Sequence, residues 1–454
     1  MKKIIFLVYI LSALSCSKQD EWLDVKSNKS DAVPSSIKDL EALLNNDLVM
    51  NSNYPSLGII NADHYLLSSA IWQAAGTNTE RNAHIWNKDI FEGQTSYDWN
   101  YAYARIVQAN IVLEVLNTMA LAPGAKTDII RGSALFFRAN AYYNLAQLFC
   151  APYKASTATS EIGLPLKLGT DVNERPQRKN LAVTYEQILT DLLLARDLLP
   201  LVPEVKTRPS KSAALGLLAR VYLQMDNYTA ALQFSNEALN IHKELLDLNT
   251  LNPQATFPFP TFQAGNTEVL FHATSLSYGI FLTSRILVEP SLYQSYTAND
   301  LRRSLCYKDN GTNGIAYRGY YTGINGTFFA GVSNNELYLV RAECQARKGM
   351  KDPALADLNS LLVKRWKSGT FTPLKAASAD EVLLLILKER EKEFPFSNLR
   401  WEDLRRLNKD PLFAKTLTRT VNGQSYSLSP GDKRYVMPIA DDEIRLGGIE
   451  QNPR

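Results

Sequence analysis

The chain has 454 residues, 45% of them hydrophobic and 21% charged, which is the composition of a globular protein long enough to bury a large core. Its 49 basic and 46 acidic residues leave a formal net charge of only +3 without a basic block, so nucleic acid is not expected as a partner. The four cysteines form no C-x-x-C pair and the four histidines are scattered, which excludes the usual zinc spacings. We expect neither a metal nor another cofactor.

The N-terminus has the pattern of a signal peptide over residues 1–15. Lys2 and Lys3 precede an apolar run of eleven residues, Ile4–Leu14, which is too short to span a membrane and typical of an export signal. Ala13-Leu14-Ser15 would suit ordinary signal peptidase, but Leu14-Ser15-Cys16 resembles a bacterial lipobox with Ala13 in place of its usual leucine. Because a polar stretch follows at once, we favour lipidation of Cys16, with residues 16–35 as the lipidated N-terminus and tether. No later run reaches about 18 apolar residues, so the lipid is expected to be the only membrane anchor.

Residues 36–454 are predicted to form one mainly α-helical domain. Apolar residues first recur at helical spacing over Ile37–Leu48. A helical scaffold is then predicted over about 99–241 and 335–408, with loop-rich insertions at 51–97, 245–333 and 411–454. The scaffold helices are predicted at Trp99–Leu116, Ile129–Phe149, Tyr185–Leu199, Ser210–Met225, Tyr228–Ile241, Asn335–Arg347, Pro353–Trp366 and Asp380–Phe394.

A weak internal repeat indicates how these helices pack. A small alanine recurs at the same position in Phe137–Tyr142, Leu218–Tyr222 and Val340–Cys344. After the second copy, the spacing of small residues and tyrosines follows a tetratricopeptide pattern as far as Ala238. We therefore predict irregular tetratricopeptide-like helical hairpins interrupted by the long insertions.

The most charged stretch, Glu389–Arg406, raises the question of an enzyme. Glu389, Glu391 and Glu393 alternate, and residues two apart on a helix point to different faces, so they are not expected to converge on a cleft. We predict a solvated or ion-paired structural helix there, with Phe394 and Trp401 packed on the core. The chain also has no nucleophile elbow, zinc-protease pair, Walker loop or dinucleotide fingerprint. We expect no enzymatic activity.

Several short motifs follow one another in order along almost the whole chain. They are Asp20-Glu21-Trp22-Leu23-Asp24, Trp99-x3-Tyr103-x2-Ile106-x2-Ala109-Asn110, Arg131-Gly132-x-Ala134-x3-Arg138-Ala139-x2-Tyr142, Thr184-Tyr185-x2-Ile188-x2-Asp191-Leu192, the run Ser212–Leu223, Glu389-Arg390-x2-Glu393-Phe394, Arg400-Trp401-x-Asp403-Leu404-Arg405-Arg406, Pro438-Ile439-x3-Glu443-Ile444 and Gln451-Asn452-Pro453. With the lipobox, this series resembles the SusD/RagB family of outer-membrane nutrient-binding lipoproteins.

The resemblance implies a surface-exposed lipoprotein of the outer membrane. Such a protein sits as a lid on a TonB-dependent (SusC-like) transporter and captures oligosaccharides for import. Residues 17–21 resemble the export tag that sends lipoproteins of the Bacteroidetes phylum to the cell surface. Three alternatives stay open from the sequence: the same architecture binding peptides, a helical-repeat scaffold lipoprotein that assembles other proteins, and a secreted glycosidase with two facing carboxylates.

The resemblance also places the ligand between the N-terminal loops and the insertion at 245–333. Sugars present apolar C–H faces that stack on aromatic rings, while Asp and Arg bind hydroxyl groups. By position, the candidate ligand-binding residues are Asp63, Tyr65, Trp72, Arg81, Trp86, Tyr278, Tyr317, Tyr320 and Tyr321. For each of these residues the alternative is packing in the core beneath a long loop.

Overall fold

The computed structural model describes residues 34–119, 124–281, 287–311 and 314–454. The signal peptide, Cys16 and most of the tether lie outside the described residues, so the predictions for them stay predictions. The structure is mainly helical, which confirms the predicted class. Within the described ranges, none of the helices is long and apolar enough to cross a bilayer.

The eight predicted scaffold helices begin and end within about four residues of their predicted bounds, and further short helices join them in the part of the chain that the structure describes. In chain order they are α1 (Ile37–Leu44), α2 (Asp47–Met50), α3 (Leu57–Asn61), α4 (Ser69–Gln73), α5 (Asn78–His84), α6 (Tyr97–Thr118), α7 (Ala125–Phe149), α8 (Leu181–Leu198), α9 (Lys211–Gln224), α10 (Tyr228–Ile241), α11 (Pro290–Gln294), α12 (Leu301–Cys306), α13 (Asn334–Arg347), α14 (Lys351–Leu362), α15 (Ala379–Glu393), α16 (Asn398–Leu407) and α17 (Asp441–Gly447).

The strands are short and pair two by two. They are β1 (Tyr65–Leu66), β2 (Ile162–Pro165), β3 (Arg178–Asn180), β4 (Val269–Phe271), β5 (Leu287–Val288), β6 (Tyr307–Asp309), β7 (Ile315–Tyr317), β8 (Val332–Ser333), β9 (Leu417–Val421) and β10 (Gln424–Leu428). The antiparallel pairs are β1–β5, β2–β3, β4–β8, β6–β7 and β9–β10. The three predicted loop-rich insertions therefore contain short helices and strands, and β1–β5 joins the first insertion to the second.

Side-chain caps fix where the long helices start. Ser96, Asn180, Ser210 and Asn227 each accept a hydrogen bond from a backbone N–H in the first turn of α6, α8, α9 and α10. Such caps satisfy N–H groups that have no partner inside the helix. The Asn180 cap explains why α8 starts four residues before the predicted Tyr185.

The scaffold consists of successive helices packed on one another from α6 to α10 and from α13 to α15. Gly132 of α7 allows one close approach, because a Cβ atom there would lie 3.0 Å from Leu198 Cβ at the end of α8. At the contact between α9 and α10, the ring of Tyr222 stacks on the ring of Phe234, with centroids 5.4 Å apart and planes at 9°. Tyr222 therefore lies at a helix contact, as the repeat predicted, and Gly132, which is outside the repeat, allows a further close approach.

The charged stretch Glu389–Arg406 is ion-paired rather than solvated. Arg390 Nε donates to Asp403 at 2.7 Å, and Arg406 makes two hydrogen bonds to Glu343 of α13 at 2.6 and 2.8 Å. These four side chains are buried, and burial is tolerable because each charge meets an opposite one. Trp401 is buried and stacks on Tyr435 at 4.9 Å, which confirms its predicted packing.

Candidate functional site

The first turn of α6 joins the N-terminal loops to the long insertion through one carboxylate. Asp98 Oδ1 accepts hydrogen bonds from the backbone N–H groups of Ser56 and Leu57 at 2.5 and 2.9 Å. Its Oδ2 accepts a hydrogen bond from the hydroxyl group of Tyr278, in the insertion, at 2.5 Å. Burial raises the pKa of Asp98, although these three donors favour the charged form. Asp98 is therefore the junction of the two segments expected to meet the ligand.

Two exposed tyrosines flank this junction on the outer face of α6. Tyr97 and Tyr101 keep 53% and 37% of their surface exposed, and their ring centroids lie 6.2 Å apart with planes at 28°. We call this pair the tyrosine platform. Between them in sequence, Trp99 faces inward and packs on Phe149 of α7 at 5.0 Å. The platform therefore leaves part of two aromatic side chains exposed on a helix whose other side is fixed in the core.

Polar groups surround the platform. Asn100 is exposed and donates to the hydroxyl oxygen of Thr95 at 3.0 Å. Gln94 is exposed, and its Oε1 accepts hydrogen bonds from the backbone N–H and hydroxyl group of Thr79 at 3.2 and 3.1 Å. Rings flanked by amides supply both stacking surface and hydrogen-bonding groups.

Trp72 and Arg81, both predicted for the site, lie together at half-buried positions. Trp72 Nε1 donates to the carbonyl oxygen of Arg81 at 2.9 Å. The guanidinium of Arg81 donates to the carbonyl oxygen of Ala75 at 2.6 Å and to the side chain of Asn78. Arg81 is thus held within its own loop by local acceptors.

Five of the predicted rings lie in the core. The Tyr65 hydroxyl group donates to the Ile60 carbonyl oxygen at 2.8 Å, and Trp86 Nε1 donates to the Asn61 carbonyl oxygen at 3.1 Å. The guanidinium of Arg419 lies over both rings, 5.0 and 4.5 Å from their centroids. The core position of these rings matches the packing alternative stated from the sequence.

The other three buried rings are in the insertion. Tyr278 donates to Asp98, as described above, and Tyr317 donates to the carbonyl oxygen of Gly319 at 2.6 Å. Tyr317 and Tyr320 pack edge to face at 5.4 Å, and Tyr317 also packs on Phe396 at 4.2 Å. Tyr278 is therefore fixed in the core, whereas Tyr317 and Tyr320 also line a cavity described below.

Tyr321 is half-buried and differs from its neighbours. Its hydroxyl group donates to Glu268 Oε2 at 2.6 Å, and its ring packs between Phe259 and Phe329, at 5.7 and 5.1 Å. The polar end of Tyr321 is therefore bound inside the protein, and the ring is part of an aromatic cluster of the insertion.

Asp63 belongs to a cluster that superficially resembles a metal site. Carboxylate and imidazole atoms of Asp63, His64 and Glu391 lie within 4.8 Å of one another. However, Arg400 makes two hydrogen bonds to Asp63 at 2.7 and 2.8 Å and contacts Glu391 at 2.7 Å, and Lys415 Nζ lies 2.6 Å from Asp63. Burial alone would raise the pKa of Asp63, but Arg400, His64 and Lys415 hold it well below its usual range. Side-chain cations already neutralise these carboxylates, which does not favour a metal there.

A cavity of about 80 Å³ lies between the insertion and the C-terminal helices. Its lining includes the predicted residues Tyr317, Tyr320 and Tyr321 as well as Arg220, Glu336 and Glu402. Arg220 donates to both carboxylate oxygens of Glu336, at 2.7 and 2.6 Å. Glu402 instead accepts one hydrogen bond from the hydroxyl group of Tyr143 at 2.5 Å. Burial raises the pKa of Glu402 to about 7, against the opposing influence of Arg220 and Tyr143. Glu402 can therefore change charge near neutral pH.

Neither residue of the tyrosine platform is among the ligand-binding candidates predicted from the sequence, although Tyr97 is the last residue of the predicted insertion 51–97. The signal was present in Tyr97-Asp98-Trp99-Asn100-Tyr101, which spans the predicted start of a helix at Trp99. On a helix, Tyr97 and Tyr101 are four apart and share a face, whereas each is two positions from Trp99 and points elsewhere. Once Trp99 is assigned to the core, both tyrosines are expected to be exposed.

Comparisons with known proteins find the same kind of relative over most of the chain. A family model described as "Starch-binding associating with outer membrane" matches residues 21–223, and one described as "SusD family" matches residues 335–454. SusD-like protein P2 of Formosa agariphila is 25% identical over 478 residues, covering 89% of this chain and 90% of that protein.

Solved structures share the fold at lower identity. A SusD superfamily protein from Bacteroides thetaiotaomicron superposes with a TM-score of 0.75 at 21% identity, covering 92% of this chain and 100% of that one. A SusD-like carbohydrate binding protein from Bacteroides vulgatus gives 0.70 at 18% identity, covering 91% and 97%. The fold of the described residues is therefore the one that these proteins share.

Proposed function

The chain belongs to the SusD/RagB family, and from this we propose that it is a lipid-anchored outer-membrane protein that binds oligosaccharides and delivers them to a TonB-dependent transporter of the SusC type. The tyrosine platform is the observation that carries the ligand class. Two aligned, exposed rings suit the flat C–H face of a sugar, and aromatic groups contribute large apolar contact areas. The carbohydrate binding protein with the same fold supports this ligand class.

The ion pairs of Glu389 and Glu393 are consistent with binding without chemistry. Glu389 contacts Arg302 at 2.6 Å, and Glu393 contacts Arg365 at 2.7 Å. Glycoside hydrolysis needs one carboxylic acid and one carboxylate facing the bond that breaks. Carboxylates held by arginines are poor proton donors, which supports a protein that captures its ligand unchanged.

Calorimetric titration with a panel of neutral oligosaccharides, beginning with maltoheptaose, tests the ligand class. Tyr97→Ala and Tyr101→Ala should each weaken binding by roughly tenfold to a hundredfold, equivalent to about 1–3 kcal/mol of lost stacking. Tyr97→Phe should keep most of the affinity, because the ring remains.

Tyr222→Ala is the matched control. It also removes one ring of a stacked pair, but on the α9–α10 contact of the scaffold. Its affinity per folded molecule should equal that of the wild type. If the Tyr97→Ala/Tyr101→Ala double variant binds the same oligosaccharide normally, the platform is not the binding site. Binding of peptides from a casein digest, without any oligosaccharide binding, would move the protein to the peptide alternative.

Delivery to a transporter has its own test. Affinity purification of the full-length protein from detergent-solubilised outer membranes should recover a TonB-dependent transporter in comparable amount. Recovery of other lipoproteins without any transporter would favour the scaffold alternative.

A further inference from the structure

A second cavity lies at the end of the scaffold where α7 stops. It has a volume of about 350 Å³ and is bounded by the loop after α7, the end of α16 and the C-terminal segment. We call it the C-terminal cavity. We propose that it binds a sugar that carries an acidic group, a carboxylate or a sulfate ester. Its residues are not those of the tyrosine platform, so the proposal goes beyond the function proposed above.

The lining of the C-terminal cavity is rich in cations. It includes Lys154, Lys409, Lys433 and Arg405. Lys154 and Lys433 are exposed, and neither makes an ion pair with another described residue. Two lysines are therefore free to meet an anion at the mouth of the cavity.

Acidic residues offset this charge only in part. Glu161 and Asp432 are the carboxylates of the lining, so four basic groups face two acidic ones, a net charge of +2. Asp432 is already bound by Arg434, whose Nη2 lies 2.7 Å from Oδ2. Lys409 forms an ion pair with Asp226, which lies outside the lining.

Arg405 supplies a buried cation behind the lysines. Only 3% of its surface is exposed, and its guanidinium donates to the carbonyl oxygens of Gln147 and Cys150 at the end of α7. No carboxylate of the described residues lies within ion-pair distance of it, and its Nε atom has no hydrogen-bond partner. Burial lowers the pKa of Arg405, and burial also lowers the pKa of Lys409, with Arg406 and Lys154 adding to the effect. Lys409 has Asp226 as its counter-charge, whereas Arg405 has no carboxylate within ion-pair distance, so an anion in the cavity would lower the cost of burying Arg405.

The lining of the cavity also includes one aromatic residue and has room for a small ring. Tyr435 is in the lining, and its position is fixed by stacking on Trp401, with ring planes at 24°. Its hydroxyl oxygen accepts a hydrogen bond from Asn408 Nδ2 at 2.8 Å. The volume is at the lower end of the range of roughly 300–1,000 Å³ for small-molecule sites. Only 3% of the surface of Tyr435 is exposed, so this residue contributes a small, fixed apolar contact beside the lysines.

Titration calorimetry at low salt with four probes tests the proposal: glucuronate, galactose 6-sulfate, inorganic sulfate and glucose. At least one acidic sugar should bind, glucose should not, and raising the salt concentration should weaken the binding. Glucuronate binding identifies the carboxylate as the acidic group, and galactose 6-sulfate binding identifies the sulfate ester. If inorganic sulfate binds as tightly as the sugars, the sugar ring plays no part and the proposal fails.

The Lys154→Ala/Lys433→Ala double variant should bind the acidic sugar at least tenfold more weakly with an unchanged melting temperature, since both side chains are exposed. The matched control, Lys367→Ala/Lys388→Ala, removes the same charge from exposed lysines elsewhere and should bind normally. Equal affinities of the two double variants would overturn the proposal. Tyr97→Ala should leave binding of the acidic sugar unchanged, so the two proposed sites can fail separately.

Discussion

Replacing Glu402 with glutamine should make the protein more stable at alkaline pH. The side chain of Glu402 is 2% exposed, and its pKa is raised from 4.5 to about 7 in the folded protein. The folded state therefore holds this proton more tightly than the unfolded chain. The stability that the proton provides is complete below about pH 4.5 and is lost as the pH rises through about 7.

The size of the change in unfolding free energy follows from the difference between the pKa values of Glu402 in the folded and unfolded protein. A difference of about 2.5 pH units corresponds to roughly 3 kcal/mol of unfolding free energy, an upper value that is reached only above pH 8. In Glu402→Gln the amide oxygen still accepts the hydrogen bond of Tyr143, but the side chain cannot ionise. The variant should match the wild type near pH 4.5 and exceed it progressively up to pH 8.

Urea unfolding of both proteins at half-unit steps from pH 4.5 to 8 measures this difference. Buried histidines such as His64, whose pKa burial lowers to about 3, add their own pH dependence. They are common to both proteins and cancel in the difference. A difference that stays flat with pH, or that favours the wild type at pH 8, would refute the assignment of a raised pKa to Glu402.

Glu343→Gln provides the control of opposite sign. Burial opposes the charged form of Glu343, but Arg406 and Arg347 lower its pKa to about 2. Its contribution is complete above about pH 4.5 and is lost as the pH falls through about 2. The glutamine variant should therefore be strongly destabilised at neutral pH, because two buried or partly buried arginines lose their partner.

Three further outcomes are expected. Tyr317→Ala should lower the free energy of unfolding by about 3–5 kcal/mol in urea titrations, because its ring is in the core. The oligosaccharide affinity of the folded fraction should stay intact. A variant that binds more weakly but is as stable as the wild type would contradict this. Tyr278→Phe should lower the free energy of unfolding by about 1–3 kcal/mol, since Asp98 loses a buried hydrogen-bond donor. It should also speed amide hydrogen exchange in the loop around Ser56. Unchanged exchange would show that the Tyr278–Asp98 hydrogen bond does not stabilise that loop. Cys16→Ala should move the protein from the outer membrane to the soluble fraction and abolish incorporation of labelled palmitate; a membrane-bound variant that still takes up label would exclude Cys16 as the lipidation site.

The long helices could be predicted because their signals are local. The apolar spacing of Tyr228–Ile241 and its Asn227 cap lie within fifteen residues of sequence, and α10 has the predicted bounds. Tyr222 could likewise be placed at a helix contact from the tetratricopeptide spacing alone. The helical spacing of apolar residues and the capping residues depend only on neighbours in sequence, so they can be recognised without knowledge of the fold.

The orientation of the loop aromatics could not be predicted, because distant residues determine it. Trp86 is covered by Arg419, and Tyr317 packs on Phe396, neither of which is near in sequence. An aromatic residue in an Asn- and Gly-rich segment has the same local pattern whether its ring points inward or outward. The exposed pair Tyr97 and Tyr101 was within reach, because one helical turn decides which face each residue occupies.

The contacts that close the N-terminal loops have a consequence for the order of folding. Arg400 binds Asp63 across 337 residues of sequence, and Arg419 binds the carbonyl oxygens of Ile60 and Ala62 across 359 and 357 residues. Helices α6–α10 can pair as soon as they are synthesised, whereas the loops before them must wait for almost the whole chain. Contacts between such distant residues form slowly. The N-terminal loops therefore reach their final packing only after the last quarter of the chain is available.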